Sequence, residues 1–160
     1  ATGHRMTLRA TAVSRKQAAT SGSVQLDAQG RHIRRKLLVT DQGEDILVDL
    51  EKPAHLRHGD CLMLEDGRAI AVHAAVEELL EVRARDIEHH ARLAWHIGNR
   101  HLEAQIETHR ILIRPDHVIA RMLERQGATV TLVNEPFSPE PGAYSHVHAS
   151  EPVGTYSYAP

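Results

Sequence analysis

Residues 79–133 read LLEVRARDIEHHARLAWHIGNRHLEAQIETHRILIRPDHVIARMLERQGATVTLV, and the order of elements in this stretch decides the fold. Residues 79–82 form a short apolar run that reads as a strand. From Asp86 to Ile97 the period becomes helical, with Ile87, Ala91, Ala94 and Trp95 on one stripe. Asp86 stands where an N-cap belongs, since its carboxylate accepts from backbone N–H groups that lack helical partners. Gly98-Asn99 stand where a left-handed terminator belongs. Residues 105–106 and 111–113 read as two strands joined by a polar turn. Pro115 and Asp116 open a second helix whose stripe is Val118, Ile119, Met122 and Leu123, and Gly127 ends it. Residues 129–133 make a β-branched strand. The order β-α-β-β-α-β is the split βαβ pattern of a ferredoxin-like domain.

Upstream of this stretch, residues 24–72 read as β. Short apolar runs at 24–26, 33–39, 46–50, 62–64 and 69–72 alternate with the turn signals Gln29-Gly30, Gln42-Gly43 and Asp66-Gly67. Asp-Gly between apolar runs marks a hairpin, because glycine accepts positive φ without a Cβ clash. Downstream, four prolines follow Glu135 before residue 153, and the segment reads as an extended, mobile tail. The expected class is α+β. Residues 1–6 are an added or disordered start, 7–74 a β-rich domain, 75–137 the ferredoxin-like domain and 138–160 the tail. Two domains of about 70 residues have thin cores, so association into a homodimer is expected.

Composition excludes several classes. Nineteen Lys and Arg against 21 Asp and Glu leave a formal charge of −2, and the chain has one Phe, one Trp and three Tyr. Nucleic-acid binding needs a basic surface, and single-strand binding adds stacking aromatics; neither is expected. The basic cluster Arg34-Arg35-Lys36 falls in a strand and reads as a solvated face. No apolar run spans a bilayer and no signal peptide opens the chain, so no membrane partner and a cytoplasmic location are expected. Cys61 is the single cysteine and lies in an apolar run, which reads as a buried small hydrophobe and excludes a thiolate-rich zinc site. The sequence carries no G-x-S-x-G, H-E-x-x-H, Walker A or G-x-G-x-x-G signature, so no enzyme is expected.

The chain does carry 13 histidines, which points towards metal. His89 and His90 are adjacent on the first helix; His90 reads as the edge of the apolar stripe and His89 points about 100° away, as polar surface. His96 beside Trp95 suits the negative end of the helix dipole. His101 follows a stretch that breaks the helix and projects it from a loop, where sites concentrate. His117 lies in the first turn of the second helix, where the dipole disfavours imidazolium and favours the neutral ring a metal needs. His146 and His148 form an H-x-H pair whose rings share one side of an extended segment. These are nitrogen donors, which suit Ni(II), Cu(II) and Zn(II) alike.

Several fragments are distinctive together: Leu47-Val48-Asp49-Leu50, Leu56-Arg57-His58-Gly59-Asp60, Leu64-Glu65-Asp66-Gly67-Arg68 and Leu79-Leu80-Glu81-Val82. To these add Trp95-His96-Ile97-Gly98-Asn99-Arg100-His101, Ile113-Arg114-Pro115-Asp116-His117-Val118 and Val133-Asn134-Glu135-Pro136-Phe137. In their order and spacing, from about residue 7 to about residue 148, they resemble the UreE urease accessory proteins. The resemblance implies a nickel metallochaperone with a β-rich, peptide-binding N-terminal domain and a ferredoxin-like metal-binding domain that forms the dimer. It implies that His101 binds Ni(II) at the dimer interface, one ring from each subunit. It makes His117 an auxiliary ligand whose usual companion is replaced by Pro115, and His146 and His148 a short tail pair that completes the site. The implied partners are the urease maturation GTPase and the urease apoprotein complex, with further association of dimers around shared metal.

The mechanism so implied is capture and transfer. Two His101 rings leave coordination positions open, so an incoming partner ligand can displace a donor. Zn(II) or Cu(II) would bind the same site in vitro. Imidazole titrates near pH 6.5, so acid is expected to release the metal. The competing readings are a metal-dependent hydrolase with Glu103 as base, a metal-sensing regulatory protein and a purely structural module. Turnover, DNA binding and metal titration separate them.

Overall fold

The computed structural model describes residues 7–140. Its elements are β1 (Leu8–Ser14), β2 (Gly22–Leu26), β3 (His32–Val39), β4 (Asp45–His55), β5 (Cys61–Leu64), β6 (Ala69–Ala74), β7 (Val76–Arg83), α1 (Ile87–Asn99), β8 (Ala104–Ile106), β9 (Ile111–Ile113), α2 (His117–Arg125) and β10 (Thr129–Pro136). The class is α+β: two sheets and two helices. No helix among the described residues is long and apolar enough to cross a membrane.

The first sheet has the order β2-β6-β5-β1-β4-β3. Alternation in β4 buries Ile46, Val48 and Leu50 while their neighbours stay partly exposed, as one-sided burial of a pleated strand requires. With Leu56, Leu62, Leu64, Ile70 and Val72 they form one core. Gly43 (φ 79°) and Gly67 (φ 88°) take the left-handed turns between β3 and β4 and between β5 and β6. The β region starts earlier than the expected residue 24: β1 is an interior strand, parallel to β4 and antiparallel to β5. Arg34, Arg35 and Lys36 are exposed on β3 and Cys61 is buried, as expected.

The second sheet has the order β10-β7-β9-β8, all antiparallel. With α1 between β7 and β8 and α2 between β9 and β10, this is the split βαβ order. The β10–β7 ladder runs from Thr129↔Arg83 to Pro136↔Val76, longer than the strand expected at 129–133. Phe137 is fully buried, in a cluster with Ala28, Leu79 and Leu112 that joins the two sheets. Arg31, only 1% exposed, donates to the carbonyls of Leu26 and Phe137 across the same seam. The tail expected beyond Glu135 therefore does not start there. Pro136 is still in the ladder, Ser138 N donates to Gln105 Oε1 at 2.9 Å, and Glu140 N donates to the Ala104 carbonyl at 2.7 Å. A large aromatic side chain gains more by entering the seam than the flanking prolines lose.

Candidate metal centre

Helix α1 orients the site. Asp86 caps it by accepting from His89 N at 2.8 Å, as the sequence predicts. Its buried face is His89, Leu93 and Ile97. The stripe predicted from the sequence is corrected here: Ile87 and Trp95 are 89% and 64% exposed. Both faces of α1 are apolar, and the packed one includes a histidine. Burial of His89 is made tolerable by two hydrogen bonds. Its Nδ1 accepts from Arg85 N at 3.0 Å, and its Nε2 donates to the Gln126 carbonyl at 2.7 Å. His89 is thus a structural pin between α1 and the end of α2, not polar surface. His96 lies edge-on to Trp95, ring centres 5.1 Å apart.

The helix ends later than Gly98-Asn99 suggests. Gly98 stays helical, Arg100 N reaches back to the Ile97 carbonyl at 3.2 Å and His101 N to that of Gly98 at 3.0 Å. The left-handed residue is His101 itself, at φ 59°. Histidine tolerates this region better than most residues with a Cβ, but it still costs on the order of 1–2 kcal/mol. The conformation persists because both sides are anchored. Ile97 is buried before it, and Leu102 and Ala104 pack on the helix–sheet core after it. The imidazole is held on an exposed corner by a buried scaffold.

His101 shares a cleft of about 220 Å³ with Glu103, Arg114, Pro115 and Asp116. Arg114 Nη2 donates to Glu103 Oε2 at 2.9 Å and Nη1 to Glu77 Oε1 at 3.3 Å, and its guanidinium lies 5.1 Å from the Phe137 ring centre. Glu103, the carboxylate that a hydrolase reading needs as a base, is therefore engaged in an ion pair. Asp116 caps α2, accepting from Val118 N and Ile119 N. His117 follows as the first residue of α2 and is exposed, but it is not among the walls of the cleft. His146 and His148 lie outside the described residues. Among the described residues no group of three or more His, Cys, Asp or Glu side chains is gathered as a metal cage. Two further histidine pairs are not evident from the sequence: His32–His55, brought together by the β3–β4 register, and His58–His73, where the turn before β5 meets β6.

Two family models match the chain. The UreE urease accessory protein N-terminal domain covers residues 4–75, and its C-terminal domain covers residues 77–155. A urease accessory protein UreE of Brucella anthropi is 53% identical over 147 residues, 89% of this chain and 86% of that protein. The chain belongs to the UreE family. The urease accessory protein UreE of a Chelativorans species is 52% identical over 142 residues, covering 88% of this chain and 90% of its own. The Brucella suis protein named urease accessory protein UreE 1 is 56% identical over 131 residues, 82% and 81% of the two chains. The boundary between the two UreE models falls at Val76, the first residue of β7 and of the second sheet.

Proposed function

We propose that this chain is a nickel carrier for urease maturation, not a catalyst, and that His101 from each of two copies captures Ni(II) across a two-fold axis. The observation that carries this reading is His101, set at a left-handed helix end between buried anchors, at the end of the helix that exposes Ile87 and Trp95. Membership of the UreE family supports the link to urease. The exposed apolar face of α1 supports a homodimer through the ferredoxin-like domain at residues 75–137, with 7–74 as the β-rich domain that engages partners. His146 and His148, in the segment that follows the anchored Glu140, complete the coordination, and His117 is an auxiliary donor. Dimers associate further around shared metal.

Transfer follows from incompleteness. Two imidazoles leave positions for water on an ion that accepts high coordination, so a partner's donor can enter before a histidine leaves. The receiving proteins are the maturation GTPase and the urease apoprotein complex, in the cytoplasm. Zn(II) and Cu(II) compete for the same donors in vitro. The test is nickel calorimetry with mass measurement in solution. One tight ion per dimer in the parent, lost in His101→Ala while the dimer persists, supports the assignment. Unchanged tight binding in that variant overturns it.

A further inference from the structure

His32 opens β3 and His55 closes β4, and the two are direct partners in the antiparallel ladder. Partners in such a ladder project to the same side of the sheet. Their ring centres are 4.0 Å apart, with the planes tilted by 46°. The backbone beneath them is pinned on both sides: His32 N donates to the Gln29 carbonyl at 3.1 Å and Leu56 N to that of Arg31 at 2.8 Å. Leu56 is fully buried, so the position of His55 is fixed from below. His55 also opens onto a cleft of about 480 Å³ that reaches Arg57, His58 and Glu140.

Two imidazoles meeting one ion through bonds of about 2.1 Å, at about a right angle, place their ring centres about 4.6 Å apart. The observed ring-centre separation differs from that value by about half an ångström. We propose that His32 and His55 form a second divalent-cation site, a cross-strand imidazole pair that takes Cu(II), Ni(II) or Zn(II) with water in its remaining positions. The pair is pre-organised by the sheet, so little ordering entropy opposes binding. Four groups set its electrostatics. Burial, His32, Arg31 and Arg57 push the His55 ring below its usual range, and Glu103 opposes them. A ring kept neutral is the form a metal takes. The same guanidinium groups repel a cation, which makes this the weaker site.

The inference does not rest on His101. The test uses the full chain carrying His101→Ala, titrated with Cu(II) and Ni(II) by calorimetry, with histidine ring signals followed by NMR. The expected result is paramagnetic broadening of His32 and His55 together, ahead of His58 and His73. In the same background His32→Asn, at an exposed ring, weakens one class of ion at least ten-fold without changing the circular dichroism. Ring signals of His32 and His55 that stay sharp while metal binds, or a binding curve unchanged by His32→Asn, overturn the proposal. Loss of tight binding in His101→Ala alone bears only on the carrier site.

Discussion

The six-stranded sheet and the helix-bearing sheet solve the same problem differently. The first buries its apolar residues within itself and leaves Leu37 and Val39 on its edge strand as the large apolar side chains in solvent. The second packs Leu93, Ile97, Ile119 and Leu123 inward, yet leaves Ile87, Trp95, Val118 and Leu132 more than half exposed. The first also keeps its left-handed residues to glycine, whereas the second places a histidine there. The β-rich region keeps its exposed apolar residues to one edge strand. The helical region carries the exposed apolar face and the left-handed histidine on which the proposed interface and metal site rest.

Four changes test this contrast. Leu62→Ala, in the fully buried core of the first sheet, is expected to lower unfolding free energy by about 2–5 kcal/mol in denaturant titrations. Trp95→Ala is expected to leave monomer stability within about 0.5 kcal/mol but to raise the dimer dissociation constant at least ten-fold, equivalent to about 1.4 kcal/mol or more. Sedimentation at graded concentrations reads this, and a dimer that survives intact removes α1 from the interface. His101→Gly relieves the left-handed residue and is expected to stabilise the chain by up to about 1 kcal/mol while nickel binding is lost. A destabilised glycine variant means that the imidazole holds the corner together.

The smallest effect concerns acid. Arg110 binds Glu81, Glu107 and Glu135 at 2.6–3.0 Å. Hydrogen bonds from Arg83 and Arg110 hold the Glu81 carboxyl below its ordinary value, and Arg110 does the same for Glu135. Carboxyls depressed in the folded state contribute stability that is fully present above the ordinary carboxyl pKa and fades as pH falls through the lower folded value. Melting temperature should therefore drop below about pH 4.5, and Arg110→Met should flatten that slope. These groups are solvent-screened, so the change is a few degrees at most.

Much of the fold was legible because caps and turns act locally. Asp86, Asp116, Gly67 and Gly127 all sit where their chemistry places them. The buried face of α1 was not legible. Ile87-Ala91-Trp95 is as apolar as His89-Leu93-Ile97, and the deciding hydrogen bond from His89 to Gln126 spans 37 residues. Strand β1 escaped for a related reason. Its partner Ile46 lies 38 residues from Leu8, and its own residues are mostly alanine and polar. For the site, His101 stood out because it ends a helix, but Gly98 drew the left-handed assignment that His101 actually takes. The His32–His55 pair depends on register, which spacing in the chain does not reveal.

The short bridge from Glu140 to Ala104 has a consequence for kinetics. It moors the chain three residues from His101 and six residues before His146. Six residues reach at most about 22 Å and the eight to His148 at most about 29 Å, which bounds the distance of each tail imidazole from the corner it is proposed to complete. A flexible tether of such a length would set a local concentration on the order of millimolar, whatever the concentration of protein. On the proposed assignment, donors tethered at that range would return to the ion faster than free ligands do, and release would be governed by the arrival of a competing ligand and not by dilution.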